Sequence, residues 1–271
     1  MLQKSMNHLT DALQIPDTQS ARDHRHLAIQ RVGVKELRYP LTLRVGGAAQ
    51  PCAATWALDV ALPAEQKGTH MSRFVAWLDD LQGGGALLDA PALRERHQAM
   101  LVRLGAQEGR IEAEFSFFLR KRAPVSGLTS LLDYRGRWIA ETRAGKTAIW
   151  AEVGVPVKSL CPCSKEISDY GAHNQRAVVT IRVELLQPIE WHELVRFAED
   201  EASSEIWPML KRSDEKWVTE RAYENPKFVE DLVRDVALRL EREPRVGRYA
   251  VDVENIESIH NHSAYARIER M

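Results

Sequence analysis

The sequence predicts an α+β fold made of two consecutive ββααββ modules, each with a mainly antiparallel sheet and helices on one face. Three observations predict it. Several segments alternate apolar and polar residues, as half-buried strands do. Others space their apolar residues three and four positions apart, as amphipathic helices do. The order strand, strand, helix, helix, strand, strand then occurs twice along the 271 residues.

The two modules are predicted to meet near Gly145, and the duplication is inferred from element order alone. Residues 1–30 lack apolar periodicity and are expected to form a polar N-terminal arm, which is either a disordered leader or docks elsewhere. Residues 31–145 then form the first module and residues 146–271 the second. Helices on one face leave the other face of each sheet uncovered, which favours a barrel built from several sheets and therefore an oligomer.

The first module begins with two strands joined by a glycine-rich turn. Its first helix places Met71, Phe74 and Leu78 along one side, and Gly105 ends its second helix. The predicted elements are strands 36–45 and 53–62, helices 70–81 and 90–104, and strands 110–122 and 130–143, the last bent at Gly136.

The second module repeats this order and contains the strongest helical pattern. Pro226 precedes an apolar stripe that includes Leu232 and Val236, and proline is favoured where helices begin. Residues 211–226, KRSDEKWVTERAYENP, are too charged for packing and are interpreted as a polar loop between helices. The predicted elements are strands 146–160 and 176–186, helices 190–212 (bent or broken near Pro208) and 226–243, and two strands within 248–270.

Composition argues against several classes of protein. A formal net charge of −1 is not that of a bulk nucleic-acid binder, which needs a basic excess. Three cysteines are too few for a disulfide framework, so reduced thiols and a cytoplasmic location are expected. The sequence shows no apolar core of a signal peptide and no run near the roughly 20 apolar residues of a membrane span. We therefore expect neither nucleic acid nor a membrane as a partner.

The segment SLCPCSKEISDYGAHNQR, residues 159–176, lies between two predicted strands and carries two of the three cysteines. Thiolate and imidazole are good ligands for zinc and similar metals, so Cys161, Cys163 and His173 are candidate ligands. No matching Cys/His pair lies nearby to complete a structural site, which favours an open site with three protein ligands and a water. The alternative is that the cysteines are buried loop residues and His173 is a surface residue.

The segment SIHNHSAYA, residues 258–266, places His260 and His262 two positions apart between two strands. A period of two puts both imidazoles on one side of the chain, where they could act together. The alternative is a pair of surface histidines.

The segment KGTHMSRF sets Lys67, His70 and Arg73 around the start of a predicted helix. Free backbone amides at a helix start already favour anions, so these side chains form a candidate anion site. The alternative is ordinary capping by Thr69 together with surface charge.

Five motifs, taken together, closely resemble one family, the type IB GTP cyclohydrolases. The resemblance covers nearly the whole chain from about Gln19, with the motifs in the family's order. It implies the tunnelling fold (T-fold), with two ββααββ modules per chain, assembled as a homotetramer of barrels with active sites between subunits. The motifs are SARDHRHLAIQRVGVKELRYP, KGTHMSRF, SLCPCSKEISDYGAHNQR, KRSDEKWVTERAYENPKFVED and SIHNHSAYA.

The resemblance implies an enzyme that hydrolyses GTP to 7,8-dihydroneopterin triphosphate and formate, the first step of pterin and tetrahydrofolate synthesis. It also implies one divalent metal per site, and mixed Cys, His and Glu ligands are compatible with Zn²⁺, Mn²⁺ or Fe²⁺. By resemblance, Cys161, His173 and Glu215 hold the metal, and Cys163 and His260 lie next to it.

The same resemblance assigns the remaining roles. Glu230 matches the acid that anchors the guanine edge, and Lys67, His70 and Arg73 are expected to contact the triphosphate. Histidine titrates in the range needed to move protons while the imidazole ring of GTP opens. The residues expected to take part in catalysis are Cys161, Cys163, His260 and His262.

Two other functions are compatible with parts of this pattern. A tunnelling-fold nitrile reductase that acts on 7-cyano-7-deazaguanine also uses a cysteine and an anchoring glutamate, but the sequence has no Glu-Ser-Lys-Ser type motif. A non-catalytic, metal-stabilised assembly protein would leave the paired histidines and Glu230 without a role. Hydrolysis of GTP is therefore the expected activity.

Overall fold

The computed structural model describes residues 19–83 and 87–271. Most of the predicted polar arm, residues 1–18, lies outside the described residues. Within the described part of the chain, no helix is both long enough and apolar enough to cross a membrane.

One antiparallel sheet of eight strands runs through the molecule, and each strand pairs with the strands before and after it in sequence. Apolar residues alternate along most strands, which gives the sheet one buried face. The fourth and fifth strands pair from Arg143↔Lys146 to Arg135↔Gly154, so the two halves of the chain share a continuous sheet. The strands are β1 (Ile29–Val45), β2 (Ala48–Leu62), β3 (Gly109–Arg122), β4 (Thr129–Arg143), β5 (Lys146–Leu160), β6 (Asn174–Leu185), β7 (Val246–Ile256) and β8 (Ser263–Arg270).

The described helices lie between β2 and β3, between β5 and β6, and between β6 and β7. The predicted α+β class is confirmed. The first half has the predicted order of elements, and the second half adds a short helix between its first two strands and a third helix between β6 and β7. The helices are α1 (Met71–Gly83), α2 (Ala90–Leu104), α3 (Pro162–Ile167), α4 (Trp191–Glu199), α5 (Arg212–Glu224) and α6 (Val229–Glu241).

The core fills the space between the helices and the buried face of the sheet. Trp191, the first residue of α4, packs on Phe115, Phe117 and Trp138 with ring centroids 5.4, 5.0 and 4.7 Å away. Gly136 makes room for this cluster, because a Cβ there would lie 2.5 Å from the Phe115 ring. Strand pairing continues through Gly136 without a register shift, so the glycine serves close packing at this position.

The opposite face of the sheet carries charged side chains that pair across the strands. Arg137 on β4 lies 3.5 Å from Glu114 on β3 and 3.4 Å from Glu152 on β5. Arg182 on β6 continues the row, 2.7 Å from Glu152. A face of this composition can contact water, as one face of an antiparallel sheet commonly does. Further pairs on this face are Arg31–Asp59, Arg110–Glu141, Arg248–Glu184 and Arg267–Asp252.

The helix predicted over residues 190–212 is shorter in the structure. It ends at Glu199, well before Pro208. The chain then turns back to β5, where the Ser204 carbonyl accepts a hydrogen bond from the Lys158 amide at 2.8 Å. This contact with a distant strand replaces the helical hydrogen bonds that the sequence pattern predicted.

The prediction of a polar loop over residues 211–226 is wrong, because most of this segment forms the helix α5. The buried residues of this helix are Asp214, Val218 and Ala222, so no apolar stripe marks it in the sequence. Asp214 fixes the start of the helix. Its carboxylate accepts hydrogen bonds from the Ser126 hydroxyl at 2.6 Å and from the Lys211 amide at 2.8 Å.

The antiparallel order gives the sheet two distinct ends. At the upper end, β5 finishes at Leu160 and β6 begins at Asn174. At the lower end, β2 finishes at Leu62 and β3 begins at Gly109. The ends are about 50 Å apart along β5, since this strand has 15 residues and a strand rises about 3.3 Å per residue.

Candidate functional site

Cys161 lies at the upper end of the sheet, between the last residue of β5 and the first residue of α3. Its backbone is extended, with φ −70° and ψ 118°, and Pro162 begins the helix behind it, a position that suits proline. The Cys161 amide donates to the His173 carbonyl at 3.2 Å. The two side chains are both half-buried, whereas Cys163 in α3 is exposed. The structure therefore brings Cys161 and His173 together through their backbones.

The His173 ring is held in one orientation by a chain of polar side chains. Gln175 donates through Nε2 to Glu257 Oε1 at 3.1 Å, so its Oε1 faces His173 as an acceptor, 3.0 Å from Nδ1. A proton on Nδ1 suits this acceptor and leaves Nε2 with its lone pair. Metal-binding histidines are typically oriented in this way by a partner on the other ring nitrogen.

The loop between β7 and β8 adds a pair of histidines to this end of the sheet. Ser258 at the start of the loop lies with Oγ 3.2 Å from His173 Nδ1. The rings of His260 and His262 stack with centroids 5.1 Å apart and planes 14° apart. Both side chains are exposed. The two imidazoles thus lie on one side of the chain, as their spacing predicts.

Glu230 is tied to the same end of the sheet by the residues that precede α6. The Lys227 amide donates to the Leu160 carbonyl at 3.1 Å, and the Lys227 carbonyl accepts from Ser159 Oγ at 3.2 Å. Glu230 follows in the first turn of α6, with its side chain exposed. The start of α6 is therefore fixed beside the residues that lead into Cys161.

Glu215 is placed differently. It lies exposed in the first turn of α5, whereas α3 contacts the other end of that helix, where the Lys165 ammonium lies 4.4 Å from the centre of the Tyr223 ring. Eight residues separate Glu215 from Tyr223, which is about 12 Å along a helix. Across the described residues, no three His, Cys, Asp or Glu side chains lie close enough to hold a metal ion. The assignment of Glu215 as a third ligand stays a prediction.

Asp214 next to it has an unusual electrostatic setting. Burial raises the pKa of its carboxyl, but hydrogen bonds from Ser126 and from the Lys211 and Val125 amides outweigh burial and hold the pKa well below its usual range. The charged carboxylate thereby joins the β3–β4 turn to the start of α5.

The predicted triphosphate contacts lie at the lower end of the sheet, between β2 and α1. Residues 19–23 dock against them, since the Lys67 amide donates to the Ala21 carbonyl at 3.2 Å and Ser20 Oγ lies 3.4 Å from His70 Nε2. Lys67 and Arg73 have exposed side chains. Within one chain, this cluster is separated from Cys161 by about the length of β5.

Comparison with known proteins identifies the family. The profile of the family described as type I GTP cyclohydrolase FolE2 matches residues 15–266. The chain belongs to this FolE2 family. Among its relatives, GTP cyclohydrolase FolE2 of Methylibium petroleiphilum is 66% identical over 284 residues, which cover 94% of this chain and 96% of that protein. GTP cyclohydrolase FolE2 of Paraburkholderia xenovorans is 58% identical over 266 residues, with 98% of each chain covered.

A solved structure shares the fold of this FolE2 family member. Uricase from Arthrobacter globiformis superimposes with a TM-score of 0.51 and 11% identity, over 89% of this chain and 93% of that chain. At this identity, the likeness concerns the fold alone.

Two residues of the candidate site, Gln175 and Glu257, are not marked by the sequence patterns. Gln175 lies against the His173 ring, and Glu257 accepts a hydrogen bond from the Gln175 amide. Gln175 stands inside the quoted cysteine and histidine segment, two positions after His173. Its position on the same side of the extended chain as His173 is the signal that could have found it.

Proposed function

We propose that this chain hydrolyses GTP to 7,8-dihydroneopterin triphosphate and formate, as the first step of pterin and tetrahydrofolate synthesis. Family membership over nearly the whole chain supports the reaction. The observation that carries the proposal is the oriented His173 ring beside Cys161, with the stacked His260 and His262 linked to it through Ser258.

One divalent metal, Zn²⁺, Mn²⁺ or Fe²⁺, is part of the proposal. The donor types fit such an ion, because the Cys161 thiol and the Nε2 lone pair of His173 belong to residues that adjoin. Glu215 is proposed as the third ligand, and Cys163 as a thiol beside the site. When bound, the metal supplies a water whose pKa is lowered towards neutrality.

The chain's own residues bind the base and move protons. The Glu230 carboxylate can accept two hydrogen bonds, from N1–H and the exocyclic amine of guanine. His260 and His262 are exposed and adjacent, so one can donate a proton to a ring nitrogen as its bond to C8 breaks while the other accepts one. His173 stays fixed by Gln175 throughout and takes no part in proton transfer.

The finer architecture is also proposed: two ββααββ modules per chain, assembled as barrels in a homotetramer with shared active sites. Exposed apolar side chains around the upper end of the sheet support a contact there, with Tyr170 100% and Ile167 83% exposed. The separation of Lys67, His70 and Arg73 from Cys161 supports sharing, since a second copy could bring its own cluster to the site.

Turnover of GTP, followed by pterin fluorescence after oxidation, tests the proposed reaction. The expected result is metal-dependent formation of a fluorescent pterin together with formate. Reduction of 7-cyano-7-deazaguanine by a nicotinamide cofactor, without turnover of GTP, would instead identify a nitrile reductase. Metal binding with neither activity would identify an assembly protein.

A further inference from the structure

We propose that Lys121 is a positioning residue for the candidate site. Together with Glu199 and Glu205 it anchors residues 200–207, and this segment in turn holds the backbone on which Cys161 is mounted. The inference rests on the proposed metal site, and it concerns how that site keeps its geometry.

The anchor is a buried group of charges on the helix-covered face of the sheet. The Lys121 side chain is 9% exposed, and its ammonium lies 2.7 Å from Glu199 Oε1 and also contacts Glu205. Tyr134 donates its hydroxyl to the same Glu199 oxygen at 2.9 Å. The Lys121 ammonium also lies 5.1 Å from the ring centre of Trp207. One lysine therefore contacts the end of α4 and two residues of the irregular segment that follows.

The opposite side of the segment holds the end of β5. Ser204 exchanges two backbone hydrogen bonds with Lys158, at 2.8 and 3.3 Å. Ser203 is fully buried, and its Oγ accepts a hydrogen bond from the Leu160 amide at 3.2 Å. Leu160 directly precedes Cys161. The position of the thiol thus depends on the position of residues 203 and 204.

The same segment reaches two other parts of the site. The Ala202 carbonyl accepts from Asn225 Nδ2 at 2.9 Å, close in sequence to Glu230. The ring of Trp207 meets that of Trp217 edge-on at 6.0 Å, two residues from Glu215. Movement of the segment would therefore shift Cys161, Glu215 and Glu230 relative to one another.

The residue types are unusual for a purely structural contact. Well-packed apolar residues often stabilise an interior as well as a buried ion pair does, because burying charge carries a desolvation cost. The segment 200–207 has no helix or strand of its own, so a directional anchor is needed to fix it. These charges therefore hold residues 200–207 in one position. Metal affinity is the property to measure, because it depends on the relative positions of the ligands.

The test is a titration of Zn²⁺ against the full chain, with a chromophoric chelator as competitor. Lys121→Met is expected to weaken Zn²⁺ affinity by about 10- to 100-fold, the range typical of changes behind a metal ligand. Ser203→Ala removes only the oxygen atom that accepts the Leu160 amide hydrogen bond, and it is also expected to weaken Zn²⁺ affinity. If both act through one segment, the double variant loses less than the product of the two single effects.

His97→Ala is the matched control for stability. His97 is fully buried and lies with Nε2 2.9 Å from Thr142 Oγ1, between α2 and β4. This variant should lower the melting temperature while keeping the Zn²⁺ affinity of the unaltered protein.

Three outcomes would overturn the inference. The first is unchanged Zn²⁺ affinity in Ser203→Ala, which decides the matter even if Lys121→Met does not fold. The second is an equal loss of affinity in His97→Ala at an equal loss of melting temperature. The third is an unaltered protein that binds no Zn²⁺, which would remove the proposed metal site as well, whereas the first two leave that site standing.

Discussion

At the scale of single residues, the structure separates side chains that could react from side chains that orient them. His173 adjoins Cys161, and its proposed role as a metal ligand relies on Gln175, whose Oε1 lies 3.0 Å from the His173 Nδ1. Gln175 in turn depends on Glu257, because the carboxylate decides which end of the amide faces the imidazole.

Gln175→Leu is predicted to weaken Zn²⁺ binding by about 10- to 100-fold, because the His173 ring loses the acceptor that fixes its tautomer. The measurement is Zn²⁺ affinity by chelator competition. Gln50→Leu is the control, since Gln50 also donates through Nε2, to the Phe118 carbonyl at 3.1 Å, but on other strands. Equal Zn²⁺ affinity in Gln175→Leu and the unaltered protein would remove the orienting role.

Glu230→Gln and His260→Ala are predicted to separate binding from chemistry. Glu230→Gln should weaken GTP binding strongly, since an amide cannot accept both hydrogen bonds from the guanine edge. His260→Ala should keep GTP affinity and turn over about 10²- to 10⁴-fold more slowly. Both should keep their metal. Isothermal titration with GTP, metal analysis and steady-state rates are the measurements.

Two results would contradict these assignments. Normal GTP affinity in Glu230→Gln would show that another residue anchors the base. Loss of metal from His260→Ala would make His260 a ligand and would move proton transfer to His262 or Cys163.

At the scale of elements, α5 shows how a helix can form without an apolar stripe. Its charged surface faces solvent, and a buried carboxylate fixes its start. The Asp214 carboxylate accepts hydrogen bonds from the backbone amides of Val125 and Ser126, both at 2.8 Å. These two residues lie in the turn between β3 and β4. The position of Glu215 therefore depends on a turn in the other half of the chain.

Asp214→Asn is predicted to lower the melting temperature more at pH 7 than near pH 2. The pKa of Asp214 is lowered in the folded state, so its ionisation stabilises the fold. This contribution is complete above the ordinary carboxyl pKa of 3.8 and declines as the pH falls from there towards the lower pKa of the folded state. Thermal melts at both pH values are the measurement. Glu220→Gln, which alters an exposed pair with Lys216, should be neutral at both. A loss in Asp214→Asn that is equal at both pH values would contradict the argument.

At the scale of the whole molecule, the eight-stranded sheet is covered by helices on one face and paired charges on the other. β1 and β8 are its edge strands, and edge strands carry unpaired backbone groups that can join another sheet. Both features are compatible with a barrel that has a hydrated interior, in which the charged face needs no apolar cover.

The proposed assembly predicts a homotetramer in light scattering and partial recovery of activity on mixing inactive variants. Cys161→Ala and Arg73→Ala should each be inactive, because one lacks a proposed metal ligand and the other a proposed triphosphate contact. Subunit exchange would create some sites with both residues intact if each site draws on two chains. The control is a mixture of Cys161→Ala with His173→Ala, which should recover no activity. Cys161 and His173 of any one site come from the same chain, so every site in this mixture lacks one of them. An active monomer would defeat the prediction.

Local patterns predicted most of the fold. The strands 110–122, 130–143 and 146–160 agree with β3, β4 and β5 to within one residue, because period-two alternation on a half-buried sheet is a local signal. The helix predicted at 90–104 is α2, where Asp89 caps the start and Gly105 ends it with φ 63°. Caps and periodicity are both properties of a few neighbouring residues.

Local patterns and motifs are enough to predict the α+β class, the order of most elements, the family, and the residue types gathered between β5 and β6. Four features emerge only in the folded chain: the single continuous sheet, the helix α5, the support of His173 by Gln175 and Glu257, and the contacts of Lys121 with residues 199–207. The physical reason is sequence separation. Lys121 meets Glu199 across 78 positions and Gln175 meets Glu257 across 82, and contacts between such distant residues leave no periodic trace in either segment.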